Sequence, residues 1–153
     1  MGDTTCATRH LEVSEVAARA HELAELQRRA YAVEAALIGD DRIPQLSETP
    51  EALAAAELVW HVVEIERTIV AAIAFASVSE GIDIERLVVH PEWHRRGLAR
   101  ALLASLPRIP AVVSTGRDNA PARHLYESLG FQHVDDHEAA PQLWISRYRR
   151  ASS

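Results

Sequence analysis

The sequence predicts an α/β domain, a mixed sheet with helices packed on its faces. Three observations lead there. The expected elements run strand, two helices, three strands, helix, strand, helix, two strands. Residues 69–78 are apolar on both faces, as a central strand covered from both sides must be. The chain has 153 residues, 48% of them hydrophobic, which is enough for one core and one domain over residues 1–153.

Taken in order, residues 5–12 are the first expected strand. Ser14 is a suitable N-cap for a long helix whose apolar positions Val16, Ala20, Leu23, Leu26, Ala30, Val33 and Leu37 recur every three or four residues. Gly39-Asp40-Asp41 ends that helix. Thr49-Pro50-Glu51 opens a short second one, with a capping hydroxyl followed by proline at the first helical position. Residues 58–65 read as a strand, Glu66-Arg67-Thr68 as a tight turn, and 69–78 as the central strand. Ser79-Glu80-Gly81 turns the chain into a strand over 82–90. A helix at about 95–106, a strand at 110–115, a helix at 119–129 and strands at 131–135 and 142–149 complete the set.

Charge and cysteine usage narrow the function. All 16 basic residues are arginine, and the net charge is −6. That balance argues against a general nucleic-acid binder, which needs a positive face. Residues 1–80 carry 14 acids and 6 arginines, whereas residues 81–153 carry 8 acids and 10 arginines, so the halves suit partners of opposite sign. Cys6 alone cannot form an internal disulfide and fits a reducing, cytoplasmic setting. No apolar run is long enough to span a bilayer. Met1 to Cys6 lacks the basic and apolar stretches of a secretory signal and reads as a frayed end.

The stretch HPEWHRRGLARALL, residues 90–103, carries the chemistry. A strand ends at Val89 and His90, Pro91 breaks it, and two arginines and a glycine lead into a helix. The first N–H groups of a helix are unpaired and point outward with the positive end of its dipole, which suits a phosphate. Gly97 lets an anion approach the backbone, Ala99 keeps the next turn small, and Arg95, Arg96 and Arg100 add positive charge. The spacing matches neither a Walker loop nor a dinucleotide fingerprint.

A second run, Asn119-Ala120-Pro121-Ala122-Arg123-His124-Leu125-Tyr126-Glu127-Ser128-Leu129-Gly130-Phe131, follows at the expected distance. Together the two segments resemble the GNAT superfamily of acetyl-CoA-dependent acyltransferases. Its first signature, V-x-P-x-x-[QR]-x-x-G-x-[GA], falls on Val89, Pro91, His94, Gly97 and Ala99, with His94 where Gln or Arg is usual. Its second, N-x-x-A-x-x-L-Y-x-x-x-G-F, falls on Asn119, Ala122, Leu125, Tyr126, Gly130 and Phe131. The resemblance covers residues 58–149 well and 1–57 only by element order.

The resemblance implies a mostly antiparallel sheet of about six or seven strands with about four helices. It also implies transfer of an acetyl group from acetyl-CoA to a primary amine by direct attack in a ternary complex. Leu87, Val88 and Val89 would lie along the pantetheine arm, on a strand that splays from its neighbour. His94, Arg95, Arg96, Gly97, Leu98, Ala99 and Arg100 would cradle the pyrophosphate. Asn119 would contact the pantetheine or orient its loop, and Tyr126 would protonate the leaving thiolate. A phenol of pKa about 10 is chemically suited to that task.

The acceptor amine must lose a proton before it attacks. Strand alternation places Asp83, Glu85, Leu87 and Val89 on one face, so Glu85 is the first choice of base and Asp83 the second. Glu64, Glu66 or a water relay are the other options. The acceptor, a small molecule or a peptide, is expected to be cationic if the acidic half shapes its site. Dimers are common in the family, so a homodimer is a partner the resemblance allows. The competing class is a non-catalytic acetyl-CoA sensor or interaction module, which would bind the thioester without turnover.

No metal is expected. His90 and His94 are interrupted by Pro91, and His133 and His137 have no fixed third ligand. Trp60, Trp93 and Trp144 read as packing residues, with Trp60 placed where it can line an acceptor pocket.

Overall fold

In a computed structural model, which describes residues 7–152, seven strands form one sheet in the order β1-β2-β3-β4-β5-β7-β6. The strands are β1 (Thr8–Leu11), β2 (Val59–Ile65), β3 (Thr68–Val78), β4 (Gly81–Val89), β5 (Ala111–Gly116), β6 (Gln132–Ala140) and β7 (Leu143–Arg150). Five α-helices accompany them: α1 (Val13–Ala18), α2 (Ala20–Ile38), α3 (Pro50–Ala55), α4 (Leu98–Ala104) and α5 (Ala120–Ser128). The mixed, mostly antiparallel sheet expected from the sequence is therefore present, and β4–β5 is its one parallel pair among the described residues. The N-terminal residues expected to fray, Met1 to Cys6, lie outside the described residues.

Two cores sandwich the sheet. Leu98, Leu102, Leu103 and Tyr126 from α4 and α5 pack against Ile73, Phe75, Ile82 and Ile84 on one face. Val16, Ala20, Leu23, Leu26 and Leu53 from α1, α2 and α3 cover Trp60, Val62, Ala72, Ala74 and Val88 on the other. Trp60 belongs to this second core and is 1% exposed.

The single long helix expected from Ser14 is two helices. Glu12 rather than Ser14 precedes the first, and the Glu15 carboxylate accepts from the Glu12 N–H at 3.1 Å, satisfying an orphan donor. The break falls at Arg19, whose guanidinium bonds Glu22, Glu64 and the Arg67 carbonyl. Those ties hold its backbone at φ −111°, ψ 19°, outside helical values.

The sheet's asymmetry positions the site. β4 and β5 pair only through Ile82, Asp83 and Ile84 against Ala111, Val112 and Val113. Beyond them the two strands run on without each other, β4 to Val89 and β5 to Gly116, so they diverge as a fork.

Candidate active site

A β-bulge in β4 corrects the facing expected of its residues. Ala74 opposes Arg86 while Phe75 opposes Ile84, so Glu85 is the extra residue. One inserted residue exchanges the faces on either side of it. Leu87 and Val89 therefore share the α4–α5 face with Ile82 and Ile84, opposite Ile73 and Ala71. Asp83 opposes Ala76 on the other face, with Arg86 and Val88. Asp83, Leu87 and Val89 do not share a face, and Glu85 sits at the bulge with an exposed side chain. Asp83 also lies in the paired part of the fork, not in its opening.

The loop after β4 is built as a cradle. A short 3-10 turn, Pro91–Trp93, is capped by His90, whose Nδ1 accepts from the Glu92 N–H at 3.1 Å. Arg95 and Gly97 have φ of 64° and 75°, and Arg96 between them does not, so the sign of φ alternates along the loop. Such alternation turns successive N–H groups toward one concave point. Helix α4 starts at Leu98 instead of near residue 95, because this loop occupies the preceding residues. Its N-terminal N–H groups receive no side-chain cap, and a Cβ placed on Gly97 would meet nothing within 4 Å. The space above the loop is open. His94, Arg95, Arg96 and Arg100 are exposed around it, with Arg96 stacked 4.9 Å from the Trp93 ring centroid and Arg100 donating to Ser128 Oγ. Leu98 is buried in the core and offers the loop only its backbone, while Ala99 is half-buried.

Helix α5 flanks the fork on the β5 side. Asn119 caps it, its Oδ1 accepting from the Ala122 N–H at 3.2 Å. Tyr126 is 5% exposed, with its ring against Phe131 and Tyr148. Burial, reinforced by Tyr31 and Glu34, raises its pKa well above that of a free phenol. It therefore stays protonated throughout the physiological range.

Tyr31 and Glu34 escaped the sequence reading. The apolar stripe was expected to continue through Val33 and Leu37, which are 42% and 50% exposed. The inward face instead runs Gln27, Tyr31, Glu34, Ile38, and Ile38 follows Ala20 by five whole turns of about 3.6 residues. Carrying the 3.6 period strictly from Ala20 and Leu23 finds all four. Ile38 meets Gly116 at the end of β5, closely enough that a Cβ there would lie 3.3 Å from its Cγ2. Glu34 is held between burial, which raises its pKa, and a hydrogen bond from the Asn119 side chain, which opposes the rise. Tyr31 is raised by burial and by Glu34, against Arg86 and a backbone hydrogen bond from Leu87.

Beneath Tyr31 lies a buried polar network. Arg86, 8% exposed, donates to Glu48 at 3.0 Å and to the Glu85 carbonyl at 3.2 Å. Gln27 donates to the other Glu48 oxygen at 2.8 Å and to the Gln45 carbonyl. Arg86 is 3.6 Å from the Glu85 carboxylate. Past Ile38 opens a cavity of about 700 Å³, with Asp40, Asp41, Arg42, Asp118 and Trp144 among its walls.

The sequence-predicted residues thus fall into three groups. Leu87, Val88, Val89, Asn119 and Tyr126 gather about the fork, and His94 to Arg100 form the loop at the end of β4. Asp83 lies in the paired part of the fork, whereas Glu85, at the bulge, is the first β4 residue beyond it.

Comparison with known proteins agrees with this arrangement. The family model for the acetyltransferase (GNAT) domain matches residues 56–133, from the start of the central strands to the beginning of β6. The UPF0157 protein YqkA of Bacillus subtilis (strain 168) is 32% identical over 134 residues, covering 83% of this chain and 38% of that protein. The chain thus spans little more than a third of the curated relative it matches. Among solved structures, the ribosomal-protein-S18-alanine N-acetyltransferase from Escherichia coli superposes with TM-score 0.73 at 18% identity, covering 96% of this chain and 94% of that one. The PaiA N-acetyltransferase from Thermoplasma acidophilum, solved in complex with coenzyme A, gives 0.72 at 16% identity, over 92% and 96% of the two chains. With its family signature spread over more than half its length, on a sheet that forks between β4 and β5, the chain belongs to the GNAT acetyltransferase family.

Proposed function

We propose that the protein transfers an acetyl group from acetyl-CoA to a primary amine. The observation that carries the reading is the fork between β4 and β5, closed at one end by three paired residues and flanked at the other by the uncapped loop before α4. The loop's converging N–H groups and Gly97 suit the pyrophosphate, with Arg95, Arg96 and Arg100 adding charge. The free edge of β4 at Leu87, Val88 and Val89 suits the amide-bearing pantetheine arm. His94 stands where the family has Gln or Arg, and the backbone carries most of the phosphate binding.

Within the fork, a backbone N–H near Val89 polarises the thioester carbonyl as the amine attacks. Tyr126, kept protonated by burial, gives its proton to the sulfur as the C–S bond breaks. The cavity beyond Ile38 is the entry for the acceptor, and three carboxylates on its walls, Asp40, Asp41 and Asp118, outnumber Arg42 and Arg117 and favour a cationic amine. Relatives solved with coenzyme A or acetyl-CoA bound lend support to the cofactor assignment.

The test is direct. Acetyl-CoA binding is measured by calorimetry, and thiol release is followed across a panel of diamines, aminoglycosides, amino acids and peptides. Binding together with amine-dependent release supports the transferase. Binding without release from any amine leaves a non-catalytic acetyl-CoA module, and no binding refutes the assignment of the fork.

A further inference from the structure

We propose that Glu34, on the inward face of α2, takes the proton from the acceptor amine. This rests on the transferase reading above. Gln27, Tyr31, Glu34 and Ile38 follow one another on one face of α2, a face that begins at Gln27, bonded to the Glu48 carboxylate that also holds Arg86 of β4, and ends at Ile38, which meets Gly116 at the end of β5. The helix continues through Ile38 to the rim of the cavity by which an acceptor would enter. Glu34 is thus one helical turn before the cavity-lining Ile38, and its charge reaches Tyr126.

Asp41 and Asp118 lie on the walls of the entry cavity, and the carboxylates of β4 and its neighbours are placed for other work. Asp83 lies in the zipped part of the strand pair. Glu85 is turned outward at the bulge, beside Arg86. Glu48 is committed to Arg86 and Gln27, and Glu64 to Arg9 and Arg19. Glu34 has no arginine partner among the described residues and is half-buried beside a neutral amide. Tyr31 and Tyr126 face it, and Arg86 and Glu48 face Tyr31. Desolvation makes its carboxylate more basic than one in water, which suits a proton acceptor.

The step balances as follows. The ammonium passes one proton to the Glu34 carboxylate, and the freed lone pair forms the C–N bond at the thioester carbon. The C–S bond breaks, and the sulfur leaves with its electron pair and takes the Tyr126 proton. The second N–H proton, shed as the amide nitrogen becomes neutral, restores the phenol, and Glu34 releases its proton to water.

The test compares wild type and Glu34→Gln over pH 6–9, using the best amine of the release panel. Wild type should show kcat/KM nearly flat with pH below the amine's own pKa of about 10. The variant should fall about 100-fold at pH 7. It should then recover about tenfold per pH unit, because it depends on amine already deprotonated in solution. Its acetyl-CoA affinity should remain within a few-fold of wild type. Glu34→Asp should keep the flat profile at a lower level, which separates lost chemistry from lost packing. A Glu34→Gln profile parallel to wild type overturns the assignment of the base alone. A wild-type protein that releases no thiol with any amine overturns the transferase reading, and this proposal with it.

Discussion

Gly81 begins β4 at φ 140°, and a Cβ built on it would lie 1.9 Å from the Pro110 carbonyl oxygen and 2.8 Å from its carbon. That same oxygen accepts the Ile82 N–H at 2.9 Å, immediately before β5 begins. Replacing Gly81 with alanine must therefore push the Pro110 carbonyl back by more than about 1 Å, far beyond what packed atoms accommodate by relaxation. The displaced hydrogen bond costs about 1 kcal/mol. A side chain at this φ adds about 1–3 kcal/mol of backbone strain, and the remaining steric clash adds a similar amount. A loss of about 3–7 kcal/mol is expected, a large fraction of the stability of an ordinary domain. Urea unfolding followed by circular dichroism measures it, and the thermal midpoint should fall by roughly 10 °C. A loss below about 1 kcal/mol would refute the steric reasoning and the tightness assigned to this seam.

Three further outcomes follow from the site. Gly97→Glu should abolish acetyl-CoA binding by calorimetry, because its carboxylate enters the space above the loop; Gly97→Ala, with similar backbone strain of about 1 kcal/mol, should still bind. Tyr126→Phe should lower kcat by about 100-fold and leave acetyl-CoA affinity within a few-fold, and a parallel loss of both would mean a packing role. Burial raises the Asp83 carboxyl above its ordinary pKa, so its contribution to stability is present at low pH and is lost as pH rises through the folded value. Asp83→Asn should accordingly be more resistant to urea than wild type at pH 7. That gain should vanish below pH of about 3, where the carboxyl is protonated in both states, and a gain persisting there would contradict the cause assigned.

Elements whose signals are local were legible. Thr49 and Asn119 cap α3 and α5 through their side chains, each followed closely by proline. The tight turn between β2 and β3 holds Glu66 and Arg67 at φ 51° and 69° without a glycine. What escaped depends on distant partners. The bulge at Glu85 is fixed by how β4 registers against β3, and its trace in the sequence is slight, an apolar alternation at Ile82 and Ile84 that resumes out of step at Leu87 and Val89. The break at Arg19 carries neither glycine nor proline, and its cause is a set of bonds to the β2–β3 hairpin. β6 runs to Ala140, beyond the expected 135, because pairing with β7 extends a polar segment that has no apolar alternation of its own. The same cause hid Tyr31 and Glu34, since polar groups on an inward helix face erase the pattern by which such a face is recognised.

The three-residue seam between β4 and β5 also has a mechanical meaning. Strands β1 to β4 form one half of the sheet and β5, β7 and β6 the other, and Ile82–Ile84 against Ala111–Val113 is their whole shared ladder. That ladder and the α4–α5 core, which packs Ile73, Ile82 and Ile84 with Val113 and Tyr148, are what join the two halves. A molecule lodged beyond that ladder and hydrogen-bonded to the free edge of β4 would act as an inserted eighth strand, stabilising the fold by mass action in proportion to its occupancy. The cofactor would then be a temporary structural member, and each turnover would remove and replace part of the sheet.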